Sequence, residues 1–442
     1  MPMSEKLKSI LFPIIPRILN DFQPPMVGDR NYEPEDWALS PGAHIYYIPG
    51  VRETIRRMQK LLYGEFSGNN FFAVKSNPTF SNLAEITKLG FGLDCASPTE
   101  LFRAIRLGIK PGKVMFTSNN TTPWAFNYAL EYGCMLNLDD DSFIEKLPKM
   151  PRLICFRYNP GKRRSAGANK IIGKPHNQKY GVPHERIVDA YRRARSRGAK
   201  HFGLHTMYAS NNRDWKTHVD TVKMLLEVVE LVQSELGIGF DFINMGGGLG
   251  IPYRPEHQAV DLEKMAAGIN ELLHAFRKKH GYAPKFFTES GRYVLSGNGV
   301  LAGPIVNVMK KYRKFIGVGF CDAADIMRAP MYPAYHEISI LDPSGKEKTE
   351  GRRWRYDVVG PLCENLRLAK YRLLPEAQEG DIAVVHDTYA HGIVMGMTYN
   401  GWGKSQQLMM DDDRIVERIA GADTIGDLTR KEIYFAHQGV QY

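Results

Sequence analysis

The sequence predicts an α/β chain: a (β/α)8 barrel of the TIM type followed by a mostly antiparallel β-sandwich or small β-barrel domain. Three observations carry this. Eight short apolar, β-branched or aromatic runs recur between residues 70 and 288. Helix-period stretches lie between most of them. Beyond about residue 300 such runs continue, but helix-period stretches are scarce until about 424–431. Eight strands alternating with helices over roughly 250 residues is the arithmetic of a closed barrel. A doubly wound sheet is the alternative reading of the same rhythm.

Taken in order, residues 1–43 are rich in proline and aromatics and show no helical period beyond the first turns. They are expected to add an arm or strand to the second domain. The barrel is placed at 44–299. Its strands are expected at Asn70–Lys75, Phe91–Cys95, Val114–Thr117, Met135–Leu138, Leu153–Arg157, Phe202–Thr206, Phe240–Asn244 and Lys285–Thr288. The clearest helix covers about 214–236, where Val219, Val222, Leu226 and Val229 recur at helical spacing. Another covers about 262–279, with Leu262, Met265, Ile269, Leu272, Leu273 and Phe276. Residues 300–442 form the β domain. Its expected strands are Val300–Val308, Phe315–Gly319, Glu337–Leu341, Arg355–Val359, Asp381–His386 and Gln407–Met410, separated by turn signals such as Asp342-Pro343-Ser344-Gly345.

Composition narrows the function. The 442 residues suit two or three domains. Hydrophobic residues at 43% and charged residues at 24% exclude wholesale disorder. Lys and Arg exceed Asp and Glu by 58 to 48, a net charge of +10. The basic residues are dispersed, and the densest runs, Arg192–Arg195 and Arg352–Arg355, read as a solvated helix face and strand edge. No zinc-finger spacing or RNA-binding signature is present, so no nucleic-acid partner is expected. Attraction of an anionic cofactor or substrate accounts for the mild excess. Cys95, Cys134, Cys155, Cys321 and Cys363 are scattered and contain no CxxC pair, so neither a disulfide framework nor a metal site is expected. With no signal-peptide pattern and no apolar run of spanning length, a cytosolic, non-membrane protein is expected.

Barrel active sites gather where strands end on their C-terminal side. The first run ends in Lys75-Ser76-Asn77-Pro78. A lysine there points into the mouth, where burial would favour the neutral amine, the nucleophile of a Schiff base. A snorkelling or ion-paired lysine is the plainer reading of that residue alone. The second run ends at Asp94-Cys95, the fifth at Arg157, and the sixth at His205 with Ser210 just beyond. Gly246-Gly247-Gly248-Leu249-Gly250 follows the seventh, where backbone N–H groups could wrap a phosphate or merely form a tight turn. The eighth ends Glu289-Ser290-Gly291-Arg292, a carboxylate and a potential phosphate ligand. An amine, a phosphate cradle, a carboxylate and an arginine at one rim suit pyridoxal 5'-phosphate (PLP). A phosphate-sugar enzyme would need the cradle but not the lysine–glutamate pair. Gly403-Lys404-Ser405 resembles the end of a P-loop, but Thr398 stands where its first glycine belongs. His336-Glu337 lacks the second histidine of a zinc protease motif.

With these residues in place, the chain resembles the fold-type III PLP-dependent amino-acid decarboxylases, most closely the diaminopimelate decarboxylases. The resemblance runs from about 44 to 425. Its blocks are FFAVKSNP (71–78), GLDCAS (92–97), KYG (179–181), GGGLG (246–250), ESGR (289–292), RAPMYPAYHEI (328–338), GPLCEN (360–365) and MGMTYNG (395–401). The resemblance implies that Lys75 forms the Schiff base with the cofactor and that Glu289 faces the pyridine nitrogen. Gly246, Gly247, Gly248 and Arg292 would hold the phosphate with Ser210, and Asp94 and Gly291 would line the same site. Cys363, contributed by the second subunit of a homodimer, would act as proton donor. Glu364 would bind a distal substrate amine, and Arg328 and Tyr332 a distal carboxylate.

Several positions depart from the family pattern. Met207 stands where the family has a histidine stacked on the cofactor ring, and His205, on the same strand face, is the residue that would compensate. His391 replaces a tyrosine; Tyr389, two positions earlier, would take over a phosphate contact, and Tyr399 would stay among the cofactor ligands. Arg367 replaces an aspartate, Trp402-Gly403-Lys404 an Arg-Pro-Arg, and Phe320 another aspartate. The Lys75–Glu289–Cys363 set is intact. Most of the changes cluster at the cofactor face and the distal substrate pocket, where Arg367 and His391 belong. The expected reaction is therefore α-decarboxylation, with meso-diaminopimelate to L-lysine as the default. D-Lysine or D-ornithine is the alternative substrate, because diaminopimelate decarboxylases act at a D-configured centre. Racemisation on the same fold and a non-enzymatic PLP carrier are the rival functions. The Cys363-Glu364 loop argues against the first, and the long second domain against the second.

Overall fold

A computed structural model describes residues 3–164, 173–412 and 416–432. The chain divides into two compact units, one built from Ile48–Gly297 and the other from Met3–Tyr47 with Asn298–Tyr442.

The first unit is a closed barrel of eight parallel strands: Asn69–Ala73, Gly92–Cys95, Val114–Phe116, Met135–Leu138, Leu153–Asn159, His201–His205, Phe242–Asn244 and Lys285–Thr288. Pairing of Asn69–Ala73 with Lys285–Thr288, and of Met135–Leu138 with Leu153–Asn159, closes the ring. That closure rules out the doubly wound sheet. The two long helices are Trp215–Leu236 and Leu262–His280. Asp214 and Asp261 cap their N-termini through side-chain carboxylates, and Gly237 and Gly281 end them in left-handed backbone.

Strand alternation fixes what lies inside. Phe71, Met115, Cys155, Phe242 and Phe287 form one apolar layer within the barrel. The Phe242 and Phe287 rings lie 4.8 Å apart and those of Phe71 and Phe287 4.9 Å apart. Gly203 is required there, because a Cβ would stand 2.1 Å from the Phe242 ring. Gly92 is required likewise, with a Cβ 2.6 Å from Phe71. Inward positions recur every second residue. The next inward layer toward the C-terminal ends is therefore Asp94, Arg157, His205, Asn244 and Glu289, so an aromatic floor carries a polar layer.

The second unit is one mixed sheet with six antiparallel and two parallel pairings among the described strands. Its centre is Gly299–Lys310, which pairs with Ala43–Tyr47, Lys314–Val318 and Ile382–His386. Ala43–Tyr47 also runs parallel to Gln406–Met410. Two strands were not expected, Ala369–Pro375 and Val416–Ala420. Each carries charged residues at successive or alternate positions, which hides the apolar pattern. Two N-terminal helices, Glu5–Leu11 and Ile15–Asp21, also escaped the periodicity because Pro13 and Pro16 interrupt it. Pro16 lies in the first helical turn, where a missing N–H costs nothing. Leu7, Leu11, Phe12, Ile15 and Ile18 bury against Ile45, Val300, Val384 and Leu408. No helix among the described residues is long and apolar enough to cross a membrane.

His386 lies in this core at 2% exposure, with Nε2 3.0 Å from Ser339 Oγ and its ring edge-on to Phe12. Burial, with a lesser push from Lys8, lowers its pKa to about 3. The unfolded chain, with an ordinary histidine, binds more protons between the two values, so His386 favours the fold above the ordinary histidine pKa and disfavours it progressively below. Between pH 6.5 and 5 the expected loss is about 2 kcal/mol. His386→Gln removes this contribution. Unfolding free energies of the two proteins across that range should converge by this amount as the pH falls, and a constant difference would mean that the ring is not held neutral.

Candidate active site

The polar layer above the aromatic floor is tightly bonded. Glu289 follows directly on the last strand and is 6% exposed. Its Oε1 accepts from Asn244 Nδ2 at 2.8 Å, and His205 Nε2 lies 3.1 Å from its Oε2. Asn244 Oδ1 in turn accepts from Gly246 N at 2.9 Å, and Glu289 N donates to Gly246 O at 2.8 Å. The ends of the sixth, seventh and eighth strands are thus joined through one carboxylate. Burial pushes Glu289 up, but the charge and hydrogen bond of His205, with Lys75 and Arg157, outweigh it and hold the carboxyl below its ordinary range. Asp94 goes the other way. Burial first, and then the charge of Glu289, push it well above the usual carboxylate value.

Lys75 reaches this layer from a single 3-10 turn, Val74–Ser76, because the first strand stops at Ala73 and not at Lys75. Its Nζ lies 3.9 Å from Asp94 Oδ2 with the side chain about half exposed, at 54%. The side chain is therefore not buried as it stands here, and its amine lies within ion-pair reach of Asp94. Gly291 is required beside it, since a Cβ would fall 1.9 Å from Ser76 Oγ.

The glycine loop takes left-handed backbone at Gly246 (φ +73°) and Gly248 (φ +103°). A Cβ at Gly246 would meet Thr206 O at 2.3 Å. Leu249 bridges Asn212, and Asn212 N donates to Gly248 O at 2.9 Å, which lays Ser210 and its neighbours along the loop. Met207 lies against the glycine loop, its sulfur accepting from Gly247 N at 3.3 Å. Arg292 donates to Tyr253 Oη at 2.6 Å. Asn244, which orients both Glu289 and the glycine loop, was missed in the sequence. Its signal is position: it follows the inward Phe242 by two residues and precedes Gly246 by two.

The residues expected from the second unit fall into separate groups. Cys363 is exposed, and its backbone N and Sγ both donate to Asn400 Oδ1, at 3.3 and 3.0 Å. Tyr399 Oη donates to Glu364 Oε1 at 3.4 Å. Tyr389 is buried, its ring stacked on Tyr46 at 3.8 Å. His391 stands in left-handed backbone at φ +58°. Arg328 is 3% exposed and donates to His336 Nε2 at 2.7 Å, while Tyr332 ends the same short turn. Arg367 Nε lies 3.4 Å from the buried carboxylate of Asp357, which also takes Arg313 at 2.9 Å. Arg328 and Arg367 are thus engaged inside the second unit.

Two family models match the chain in order: the pyridoxal-binding domain of pyridoxal-dependent decarboxylases over residues 50–296, and their C-terminal sheet domain over 292–388. The chain belongs to the pyridoxal-dependent decarboxylase family. It is 36% identical to Protein TabA of Pseudomonas amygdali pv. tabaci, over 97% of this chain and 96% of that one. It is 29% identical to a diaminopimelate decarboxylase of Methanothermobacter thermautotrophicus, over 88% and 91% of the two chains. In fold it matches the diaminopimelate decarboxylase of Helicobacter pylori crystallised with L-lysine, with a TM-score of 0.79 and 24% identity over 88% of this chain and 96% of that one. The reaction class of this decarboxylase is therefore that of a carboxy-lyase, and pyridoxal is the cofactor on which its family depends.

Proposed function

We propose that this decarboxylase binds pyridoxal 5'-phosphate at the barrel mouth and removes CO2 from a diamino acid at a D-configured carbon, with meso-diaminopimelate as the first candidate. One observation carries the proposal: Lys75, Asp94, His205, Asn244 and Glu289 meet at the C-terminal ends of the strands, above an aromatic floor. The donor set fits the cofactor. Among the described residues, Asp94 Oδ1 and His205 Nδ1 are buried with no hydrogen-bond partner in this polar layer. Lys75 would hold the aldehyde carbon, Glu289 the pyridine nitrogen, and Gly246, Gly247, Gly248, Ser210 and Arg292 the phosphate. The bound cofactor supplies an electron sink for the pair left behind by CO2.

The chain's own residues do the rest. Glu289, fixed by His205 and Asn244, keeps negative charge at the nitrogen. The Cys363 thiol is the proton donor and Glu364 the partner of a distal amine, both delivered by the second copy in a homodimer. Diaminopimelate carries both a distal amine and a distal carboxylate. D-Lysine and D-ornithine carry only the amine, and the engagement of Arg328 by His336 and of Arg367 by Asp357 favours them as the second reading.

The test is CO2 release from meso-diaminopimelate, D-lysine and D-ornithine by purified holoenzyme. Release from the first, at a kcat/KM at least about tenfold above the others, is expected, a factor worth about 1.4 kcal/mol. Racemisation with no CO2 from any of the three would overturn the reading.

A further inference from the structure

The loop 360–368 joins the paired strands Arg353–Val359 and Ala369–Pro375 and carries Cys363. It is fastened at several points within the second unit. Asp322 accepts from the backbone N–H of Gly360, where a Cβ would stand 2.7 Å from the Asp322 carboxylate. Leu362 and Leu366 pack on the buried cluster of Cys321, Ala323 and Ala324. Trp402 packs on that same cluster from a second segment. The second segment is also docked by its backbone, with Met397 N donating to Ala323 O at 3.0 Å. Two chain segments thus lie side by side on one apolar base.

The tip of the second segment is a tight turn. Asn400 (φ +57°) and Gly401 (φ +72°) are both left-handed, and Trp402 N donates to Tyr399 O. This is the backbone that the Asn-Gly pair suits, and an asparagine here is explained by the turn alone. The side chain does more than the turn asks. Its Oδ1 receives both the backbone N–H and the thiol of Cys363, while Tyr399 Oη reaches Glu364. The turn therefore grips consecutive residues of the loop, side chain by side chain.

We propose that Asn400 is the positioning residue of the Cys363 thiol, its amide oxygen fixing where the S–H points and holding the loop residue that bears it. The proposal deepens the reading of Cys363 as proton donor and rests on it for its catalytic meaning. A proton donor must be aimed at the atom it serves. On an exposed loop the thiol has several rotamers, and one acceptor that binds both the residue's N–H and its S–H selects among them.

The chain offers a direct reporter. Within one chain Cys363 is exposed, whereas Cys95, Cys134, Cys155 and Cys321 are buried, and a thiol that serves a substrate site stays within reach of a small reagent, so iodoacetamide reads Cys363. Two variants of the full-length holoenzyme separate the turn from the amide. Asn400→Gly keeps left-handed backbone and deletes the acceptor. Asn400→Asp keeps an oxygen in place. Alkylation of the Gly variant is expected to be roughly 3- to 10-fold faster than wild type, the factor one neutral hydrogen bond supplies, and that of the Asp variant no faster than wild type, because its carboxylate keeps the acceptor and disfavours the thiolate. Equal alkylation rates in wild type and Asn400→Gly would overturn the proposal. Decarboxylation is then read on the same samples. A fall in kcat with little change in KM for Asn400→Gly, rescued by Asp, joins the thiol's aim to turnover. Faster alkylation with unchanged kcat leaves Asn400 as the residue that positions the thiol and removes Cys363 from the proton-donor role.

Discussion

Lys75→Ala is expected to lower kcat by about 10⁴-fold, the upper end of what one positioned acid–base group contributes. It is also expected to remove the visible absorbance of lysine-bound pyridoxal from the purified protein. Among the described residues the lysine is the amine set against the buried Asp94, 3.9 Å from its carboxylate. The substitution should leave the barrel folded. Asp94 is already pushed up by burial and by Glu289, so on losing its cation it can take a proton and does not remain as a buried charge. Circular dichroism and thermal unfolding close to wild type, with the band and turnover lost, are the expected set. A variant that kept both band and turnover would remove Lys75 from the site.

How much of this was legible in the sequence follows from the physics of each element. The barrel strands are short apolar runs ending in polar residues, and the two-residue period places Glu289 above Phe287 and Asn244 above Phe242 without reference to anything distant. His205 was placed on the correct face for the same reason, but its task was not legible. It bonds Glu289 across 84 residues of sequence, and no local pattern reports such a contact. The same holds for Met207, whose sulfur lies on the Gly247 N–H, and for Asn400, which meets Cys363 from 37 residues away. Arg328 was expected at the substrate from the motif that carries it, and Arg367 because it replaces an aspartate of the family's substrate pocket. Their bonds to His336 and Asp357 are tertiary facts. Ala43–Tyr47 lies where a barrel was expected to begin, yet its backbone pairs with Gly299–Lys310. An apolar run does not say which sheet it joins.

Glu289→Gln isolates the carboxylate from the lysine. The glutamine is nearly isosteric, and Lys75 remains, so cofactor binding and the visible band should survive. Turnover is expected to fall by about 10²–10³-fold, the range for losing one preorganised electrostatic partner of the reacting system. The surroundings make the loss sharper than a change of charge alone. Both oxygens of Glu289 face donors, Asn244 Nδ2 at 2.8 Å and His205 Nε2 at 3.1 Å. An amide can turn its oxygen to only one of them. Its NH2 group then meets the other donor, and one buried donor stays unsatisfied at about 1–3 kcal/mol. An imidazole with a bare Nε2 and its proton on Nδ1, an atom otherwise without a hydrogen-bond partner, relieves this, because the amide nitrogen can then donate to Nε2 while the oxygen keeps Asn244. Such relief would spare the fold but not the charge at the pyridine nitrogen. Glu289→Gln should therefore unfold at a temperature near that of wild type while turning over far more slowly. His205→Gln, which keeps the carboxylate and loses its charged neighbour, should be milder in turnover, and its pH–rate profile should show the carboxyl titrating at higher pH, because His205 is among the groups that hold Glu289 low. If Glu289→Gln stays within about tenfold of wild type in kcat, a difference near 1.4 kcal/mol, the carboxylate is not the partner of the ring nitrogen.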